Sequence, residues 1–499
     1  MKQDVARRSA TNGDRQQYRD KVRRCLDALA IMLDDGRFSF QQRKIGLEIE
    51  LDLINEQFAP AMANATVLEK INDPSFTTEL GQQNVEVNVA PRTLHGDQAL
   101  WLEREFRATL NAAGELAAQD GVTLVMIGTL PTLRSEHFDP KWLSDGARYA
   151  LLNAEIFAAR GEDMQLRLDG APMPDGGTDR LCTKVGSILP ESACTSVQLH
   201  VQTAPEDFAA YWNAAQCLAG VQVALGANSP FLLGKALWHE TRIPLFLQAT
   251  DTRPAELANQ GVRPRVWFGE RWIGSIFDLF EENARYFPGL LAETSEEDPL
   301  DALAEGRAPE LGELRLLNGT IWRWNRPVYD IVDGAAHLRL ENRVLPAGPT
   351  VLDMMANAAF FYGAQRALAA LEPPLWTQLS FDAAEENLIA GAKYGMAGRL
   401  YWPGIGWVPP DELTLGTLLP MAHAGLREIG MSDTARERYL GVIEQRCLRR
   451  RTGAGWQRDT VALLEERGVT RENAVGGMFR RYVELMNSGQ PVHSWPIGG

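Results

Sequence analysis

The amino-acid sequence predicts an α+β fold: a curved, largely antiparallel sheet with a functional site on its concave face, helices packed on its outer face, and a helical C-terminal segment. Three observations predict it. Four short stretches alternate apolar and polar residues, the period-two signature of strands with one face on a core. Longer stretches repeat apolar residues at near-3.6 spacing, the signature of amphipathic helices. The polar positions of the strands hold acids, a histidine and arginines, and the first strand offers only acids and one glycine there.

The elements follow in chain order. Tyr18 to Leu33 reads as a helix, with Val22, Cys25, Leu26, Leu29, Met32 and Leu33 on its apolar side, and Asp34-Asp35-Gly36 stops it. In Lys44 to Ile54 the odd positions Ile45, Leu47, Ile49, Leu51 and Leu53 are apolar, while Glu48, Glu50 and Asp52 point the other way. In Asn84 to Val89 the three valines oppose Asn84, Glu86 and Asn88, and Glu79 precedes this strand across Gly81. Trp101 to Gln119 is a second helix, with Leu102, Phe106, Leu110 and Leu116 along one side. Thr195 to Gln202 places Gln198, His200 and Gln202 opposite Val197, Leu199 and Val201. The acidic, proline-bearing stretch Glu293 to Glu313 reads as a surface excursion. His337 to Val344 sets His337, Arg339, Glu341 and Arg343 against Leu338, Leu340 and Val344. Thr350 caps a long apolar helix from Val351 to Leu371, which Pro373 and Pro374 end. From about Pro409 the pattern is helical, with a basic run Arg446 to Arg451 that reads as a solvated face. No linker divides the chain sharply; the expected organisation is an N-terminal helical segment over 1–36, a central site-bearing domain over 37–408 and a helical segment over 409–499 packed on it.

Composition removes several function classes. The net charge is −15 and the pI near 5.1, which disfavours attraction to nucleic acid or to an anionic membrane, because both demand clustered Lys and Arg. No apolar run reaches the roughly 18 residues of a membrane helix. Lys2, Arg7, Arg8 and the basic residues up to Arg24 are not followed by the apolar core of a secretory signal. The five Cys include no C-x-x-C pair and read as packed thiols in a reducing compartment, so a cytoplasmic protein is expected.

Taken singly, each polar strand face is explained by solvation. Taken together they are not. Two carboxylates about 4 Å apart repel by roughly 4 kcal/mol at an effective dielectric near 20, and a cation relieves that repulsion. Magnesium takes oxygen ligands from a few carboxylates, water and substrate phosphates, and imidazole can join them. One metal-phosphate site therefore accounts for Glu48, Glu50, Glu79, Glu86, His200 and Glu341, with Arg343 beside Glu341 facing a phosphate. There is no G-x-x-x-x-G-K-[ST] loop, and Gly404-Ile405-Gly406 lacks a third glycine.

At these residues the chain resembles the carboxylate-amine ligases of the glutamate-cysteine ligase family, within the glutamine synthetase-like superfamily, whose catalytic fold is shared with guanido kinases. Gly46-Leu-Glu-Ile-Glu50 is similar to the family's first-strand Glu-x-Glu, and Glu79-Leu-Gly-Gln-Gln-Asn-Val-Glu86 to its second acidic segment. His200 falls where a strand histidine is expected, and Arg339-Leu-Glu341-Asn-Arg343 resembles the late metal- and phosphate-binding strand. Further matches are His239-Glu-Thr-Arg242, Thr250-Asp-Thr-Arg253, Trp322-Arg-Trp-Asn-Arg326-Pro and Arg451-Thr-Gly-Ala-Gly-Trp456-Gln, so the likeness covers roughly residues 40 to 460. The Glu79 to Glu86 spacing of seven is one shorter than in typical glutamine synthetases.

The resemblance implies an ATP-dependent ligase with magnesium or manganese as cofactor, joining L-glutamate to an amine such as L-cysteine through an acyl phosphate. It implies one metal on Glu50, Glu79 and Glu86 and another on Glu48, His200 and Glu341, with Arg343 on phosphate. Arg242, Arg253 and Arg326 are candidates for a substrate carboxylate or nucleotide phosphate, against the default of structural ion pairs. Trp267, Trp272, Trp322 and Trp324 read as core, and His239 and His337 as ordinary hydrogen-bonded histidines. The rival readings are a guanido-kinase-like phosphotransferase and a non-catalytic metal- or nucleotide-binding regulatory protein. Against the latter, all six metal-ligand positions and Arg343 are present. The partners expected are small molecules, with no nucleic acid or membrane and an oligomer left open.

Overall fold

The computed structural model describes residues 11–172 and 177–498; Lys2, Arg7 and Arg8 of the basic N-terminal stretch lie outside them. Seven strands build the central sheet: β1 (Ile45–Ile54), β2 (Phe76–Thr78), β3 (Asn84–Arg92), β4 (Thr123–Val125), β5 (Val197–Gln202), β6 (Asn325–Val332) and β7 (Ala335–Asn342). Their order is β6-β7-β5-β1-β3-β2, every neighbouring pair antiparallel, with β4 paired to the end of β1. The sheet curls into a half-barrel. The four strands expected from alternation are β1, β3, β5 and β7. Strand β6 joins β7 through Asp333-Gly334, whose φ values of 51° and 77° give the left-handed turn that suits the twist of a hairpin.

Ile45, Leu47, Ile49, Leu51 and Leu53 of β1 are buried beneath helices on the outer face. The principal helices are α1 (Asn12–Asp34), α2 (Gln98–Ala118), α3 (Phe208–Gly226), α4 (Val351–Ala369), α5 (Phe381–Tyr394), α6 (Leu419–Ile429), α7 (Asp433–Arg449), α8 (Gly453–Glu466) and α9 (Arg471–Ser488). α3 and α4 are buried on nearly every side, as helices apolar all round must be, because α5, α6 and α7 pack over them. The layers touch closely at Gly363 of α4, where a Cβ would stand 2.4 Å from the Ala422 carbonyl of α6. As expected, the Thr350 side chain caps α4 by accepting from the Asp353 N–H at 3.1 Å. α8, α9 and the chain up to Trp495 share a second core with Ile54, Val125, Leu166 and Phe231. Among the described residues no helix is long and apolar enough to cross a membrane.

Two expectations are corrected. The stretch Glu293 to Glu313 lies at the surface, with Thr294, Glu296, Glu305 and Arg307 exposed, but it is more than an excursion: it contains a helix, Pro299–Ala304, and packs against α1. Glu313 is buried there, accepting from the Ser295 N–H at 2.6 Å, while Tyr18 of α1 donates to the Glu313 carbonyl at 2.8 Å. Arg446 to Arg451 is a solvated face only in part, at Leu448, Arg449 and Arg450. Arg446 is buried, its guanidinium 2.8 Å from Asp353 and 3.1 Å from the Leu225 carbonyl, so it ties α7 to α3 and α4. Arg450 donates to Asp411 and Arg451 to the Trp495 carbonyl. Arg446→Ala leaves Asp353 buried without its countercharge and is expected to destabilise the fold by about 3–5 kcal/mol. A urea titration checks it, and a loss below about 1 kcal/mol would remove this pair from the supports of the helical layer.

Candidate active site

The antiparallel register sets the polar residues of six strands on a common grid. Glu50 lies opposite Glu86, and Glu86 opposite Thr77. Glu48 lies opposite Gln198, and Gly46 opposite His200. His200 is in turn opposite Glu341, and Glu341 opposite Arg326. Directly paired side chains stand about 5 Å apart, so these residues, far apart in sequence, become neighbours. They are not solvated: Gln198, His200, Glu341 and Asp52 are buried, and Glu48, Glu50, Glu79 and Glu86 only partly exposed. The sheet therefore brings together every metal-ligand candidate, with Arg326 and Arg343.

The face divides into two electrostatic zones. The first is rich in cations. Glu341 accepts from both Arg326 nitrogens at 2.9 Å and also pairs with Arg343. Burial alone would raise its carboxyl, but the two guanidiniums hold it well below the ordinary range. Arg339 donates to His200 Nδ1 at 3.2 Å and to Asp330 at 3.0 Å. His200 Nε2 lies 3.1 Å from Glu48 Oε1, close enough for ion pairing yet angled so that it makes no hydrogen bond. A cavity of about 440 Å³ opens beside this zone, lined by Lys44, Gly46, Glu48, His200, His337 and Arg339 among others.

The second zone is rich in acids. Burial, then the charges of Glu86, Glu50 and Glu191, raise Glu79 well above the carboxylate range. Burial with Glu48 and Glu50 pushes Glu86 up to about 7, and burial with Glu50 does the same to Glu191. Glu50 is raised by burial against the pull of Arg343 and Arg242; it accepts from the Ser196 N–H at 2.6 Å and from Gln198 at 3.0 Å. Gln198 joins the zones, because its amide oxygen accepts from Arg343 at 2.6 Å. Asp52 continues the row, fixed by Asn84 at 2.9 Å.

Glu191 escapes the period-two reading because it sits in a turn, Glu191–Ala193, just before β5. The turn is tied to the Glu79 to Glu86 segment by Gln83, which donates to Ser192 at 2.9 Å. Two predicted arginines do not reach the open face. Arg242 is buried, 3.1 Å from Glu240, with its other donors on the Val344 and Arg343 carbonyls at 3.3 and 3.4 Å, so it braces the backbone of Arg343. Arg253 is occupied by both Asp251 oxygens at 2.9 Å and by the Val262 carbonyl. The tryptophans read as core are buried or partly buried. His337, read as an ordinary histidine, lines the cavity, with Nε2 3.2 Å from Arg339.

As they stand, no three described His, Cys, Asp or Glu side chains converge on a point that holds a metal ion. The two expected ligand sets fit a cation unequally. Glu50, Glu79 and Glu86 are hard oxygen donors forced together in a buried place, where protonation substitutes for a missing positive charge, and this chemistry fits a divalent cation. Glu48, His200 and Glu341 already have Arg326, Arg339 and Arg343 as countercharges. Because Arg339 donates to Nδ1, a neutral His200 carries its proton on Nε2, the nitrogen facing Glu48, so this set fits a cation only once those contacts rearrange.

The curled antiparallel half-barrel, with carboxylates and arginines on its concave face, is the glutamine synthetase-like fold, and the family match that follows makes the chain an ATP-dependent ligase. The profile of glutamate-cysteine ligase family 2 matches residues 44–483, and the chain belongs to that family. Among solved structures the chain is similar to the glutamate–cysteine ligase of Francisella tularensis, determined in complex with AMP, at 11% identity and a TM-score of 0.51, covering 93% of this chain and 91% of that one. A bifunctional glutathione synthetase from Pasteurella multocida aligns at 11% identity and a TM-score of 0.48, over 92% of this chain and 54% of that one. The complex of the ubiquitin-like protein Pup with its ligase PafA aligns at 10% identity and a TM-score of 0.33, over 88% and 72%. No curated protein sequence matches.

The acidic zone has a pH signature. Glu86 has a folded pKa of about 7, above its ordinary value, so between the two the folded state binds a proton that the unfolded chain releases. That contribution is complete below the ordinary carboxylate range and is lost as pH rises through about 7. Glu86→Gln should therefore gain stability relative to the parent protein between about pH 5 and pH 8 in EDTA, and magnesium should narrow the difference by stabilising the parent. Thermal melts measure it; a pH-independent difference would show that the carboxyl is solvated.

Proposed function

We propose that the protein phosphorylates the side-chain carboxylate of L-glutamate, or of a close amino diacid, with ATP and joins the resulting acyl phosphate to a small amine, releasing ADP and phosphate. One observation carries this reading: a single sheet face holds a cation-rich zone beside a cavity and an acid-rich zone next to it, with Arg343 and Gln198 bridging them. Family membership supports the reaction class.

A carboxylate resists amines because oxide is a poor leaving group, and phosphorylation corrects that. In the proposed sequence a glutamate carboxylate oxygen attacks the γ-phosphorus of ATP, the bond to the β-phosphate oxygen breaks, and ADP leaves. The amine nitrogen then attacks the acyl carbon, the carbon–oxygen bond to phosphate breaks, and the amine loses a proton. The nucleotide phosphates point from the cavity toward Arg343 and Arg326, which sit where negative charge spreads over the phosphoryl oxygens. Gln198 and the Arg242 brace fix Arg343, so little reorganisation accompanies the transfer. A divalent cation on Glu50, Glu79 and Glu86 would supply charge neutralisation and orientation of the acceptor. Glu191, a carboxyl poised near neutral pH in the acidic zone and outside the metal set, is suited to take the amine proton. L-cysteine is the first amine to test, and of the three candidate arginines only Arg326 lies on the site face.

Arg343→Ala should keep the thermal stabilisation given by Mg-ATP yet lower turnover by about 10²–10³-fold, while Glu341→Gln, which removes the charge that pairs Arg326 and Arg343, should reduce both. Parental turnover in both variants would place β7 outside the site.

The reaction is tested with glutamate carrying oxygen-18 in its side-chain carboxylate, together with ATP and a panel of amines. Label appearing in inorganic phosphate alongside an amide product is the expected result. A stable phosphorylated product without amide would indicate a phosphotransferase, and no ATP use with any acid a binding protein.

A further inference from the structure

The side chains of β1 alternate faces, so Ile45 and Val201 belong to the outer side of the sheet, opposite Glu48 and His200. There, where β1 begins and β5 ends, they floor a second cavity of about 380 Å³ between these strands, α4 and the end of α6, which shares Ile45 with the cavity of the concave face. Its apolar surface comes from Phe40, Ile45, Val201 and Tyr211. Two guanidiniums reach it. Arg43 lies over the Tyr211 ring at 4.0 Å and pairs with Asp207 at 3.1 Å, and Arg366 pairs with Glu428 at 3.2 Å. Asp207 and Glu428 are 51% and 52% exposed, so these pairs are weak and exchangeable. Arg43 is further held by the Gln202 carbonyl at 3.2 Å and by the Tyr211 hydroxyl, and Gln365, wholly buried behind the cavity wall, donates to the Tyr211 carbonyl at 2.9 Å.

We propose that this cavity is a second ligand site, separate from the reaction centre, for an α-amino acid with an apolar side chain. The recognition is complementary at each end. Arg43 and Arg366 offer donors for the carboxylate, and Asp207 and Glu428, both half-exposed, accept from the ammonium. Phe40, Ile45 and Tyr211 cover the apolar body. The site reaches the working strand through Tyr362, which lines the cavity and donates to the Gly46 carbonyl at 3.4 Å. It does not depend on the reaction assigned to the concave face.

The test is calorimetric titration of the full-length protein with L-phenylalanine, L-leucine and L-methionine, with Mg-ATP and glutamate present to fill the concave face. At least one should bind with a Kd of about 10 mM or tighter, and Arg366→Ala and Asp207→Asn should each weaken it about tenfold or more. N-acetylphenylalanine and phenethylamine, which lack one charge each, should bind at least about tenfold more weakly than phenylalanine. Glu341→Gln, on the other face, should bind the amino acid as the parent does. No binding by any of the three, unchanged affinity in both cavity variants, or loss of binding in Glu341→Gln would overturn the proposal.

Discussion

The site depends on one constraint: β1 carries Glu48, Glu50 and Asp52 on the same side, and the fold buries Asp52 and leaves Glu48 and Glu50 only partly in water. Like charges in such a place must be neutralised by countercharge, by protons or by a bound cation. The chain uses two of these remedies at once. Arg326 of β6 and Arg343, just beyond β7, neutralise one end of the row, and raised carboxyls neutralise the other. The boundary falls where Gln198 accepts from Arg343 and donates to Glu50. This division gives the site its chemistry, because a polyphosphate suits the cationic end and a metal or an ammonium group suits the acidic end.

The outer helical layer serves that face. A sheet that holds charges on one side needs a rigid apolar backing, and α3 and α4 supply it by being buried on nearly all sides. Their own fixing comes from buried ion pairs and close backbone contacts, such as Arg446 with Asp353 and Gly363 against the Ala422 carbonyl. The same logic explains Arg242. Paired with Glu240 in the interior, it holds the two carbonyls from which Arg343 projects, and so contributes to the site without facing it.

Much of this was legible in the sequence. Period-two alternation located β1, β3, β5 and β7 and the acids, His200 and Glu341 on their polar positions, since side-chain direction in a strand is set by local geometry. The Thr350 cap and the proline stop located α4 for the same local reason. The Asp333-Gly334 turn also marks the β6–β7 hairpin, although β6, with Pro327 near its start, is a weak strand by pattern alone.

What the sequence did not determine is which partner each charge finds. Arg242, Arg253 and Arg326 look alike as motif residues, yet the fold buries the first on Glu240, turns the second to Asp251 and places only the third on Glu341. Glu191 lies in a turn with no periodic signal, and tertiary contacts, among them the bond from Gln83 to the adjacent Ser192, set it beside the acidic zone. The basic run at Arg446 has the composition of a solvated face, but α7 packs it against Asp353. The physical reason is common to all three: strand direction and capping depend on neighbours a few residues away, whereas the pairing and protonation of a buried charge depend on groups brought together from the whole chain.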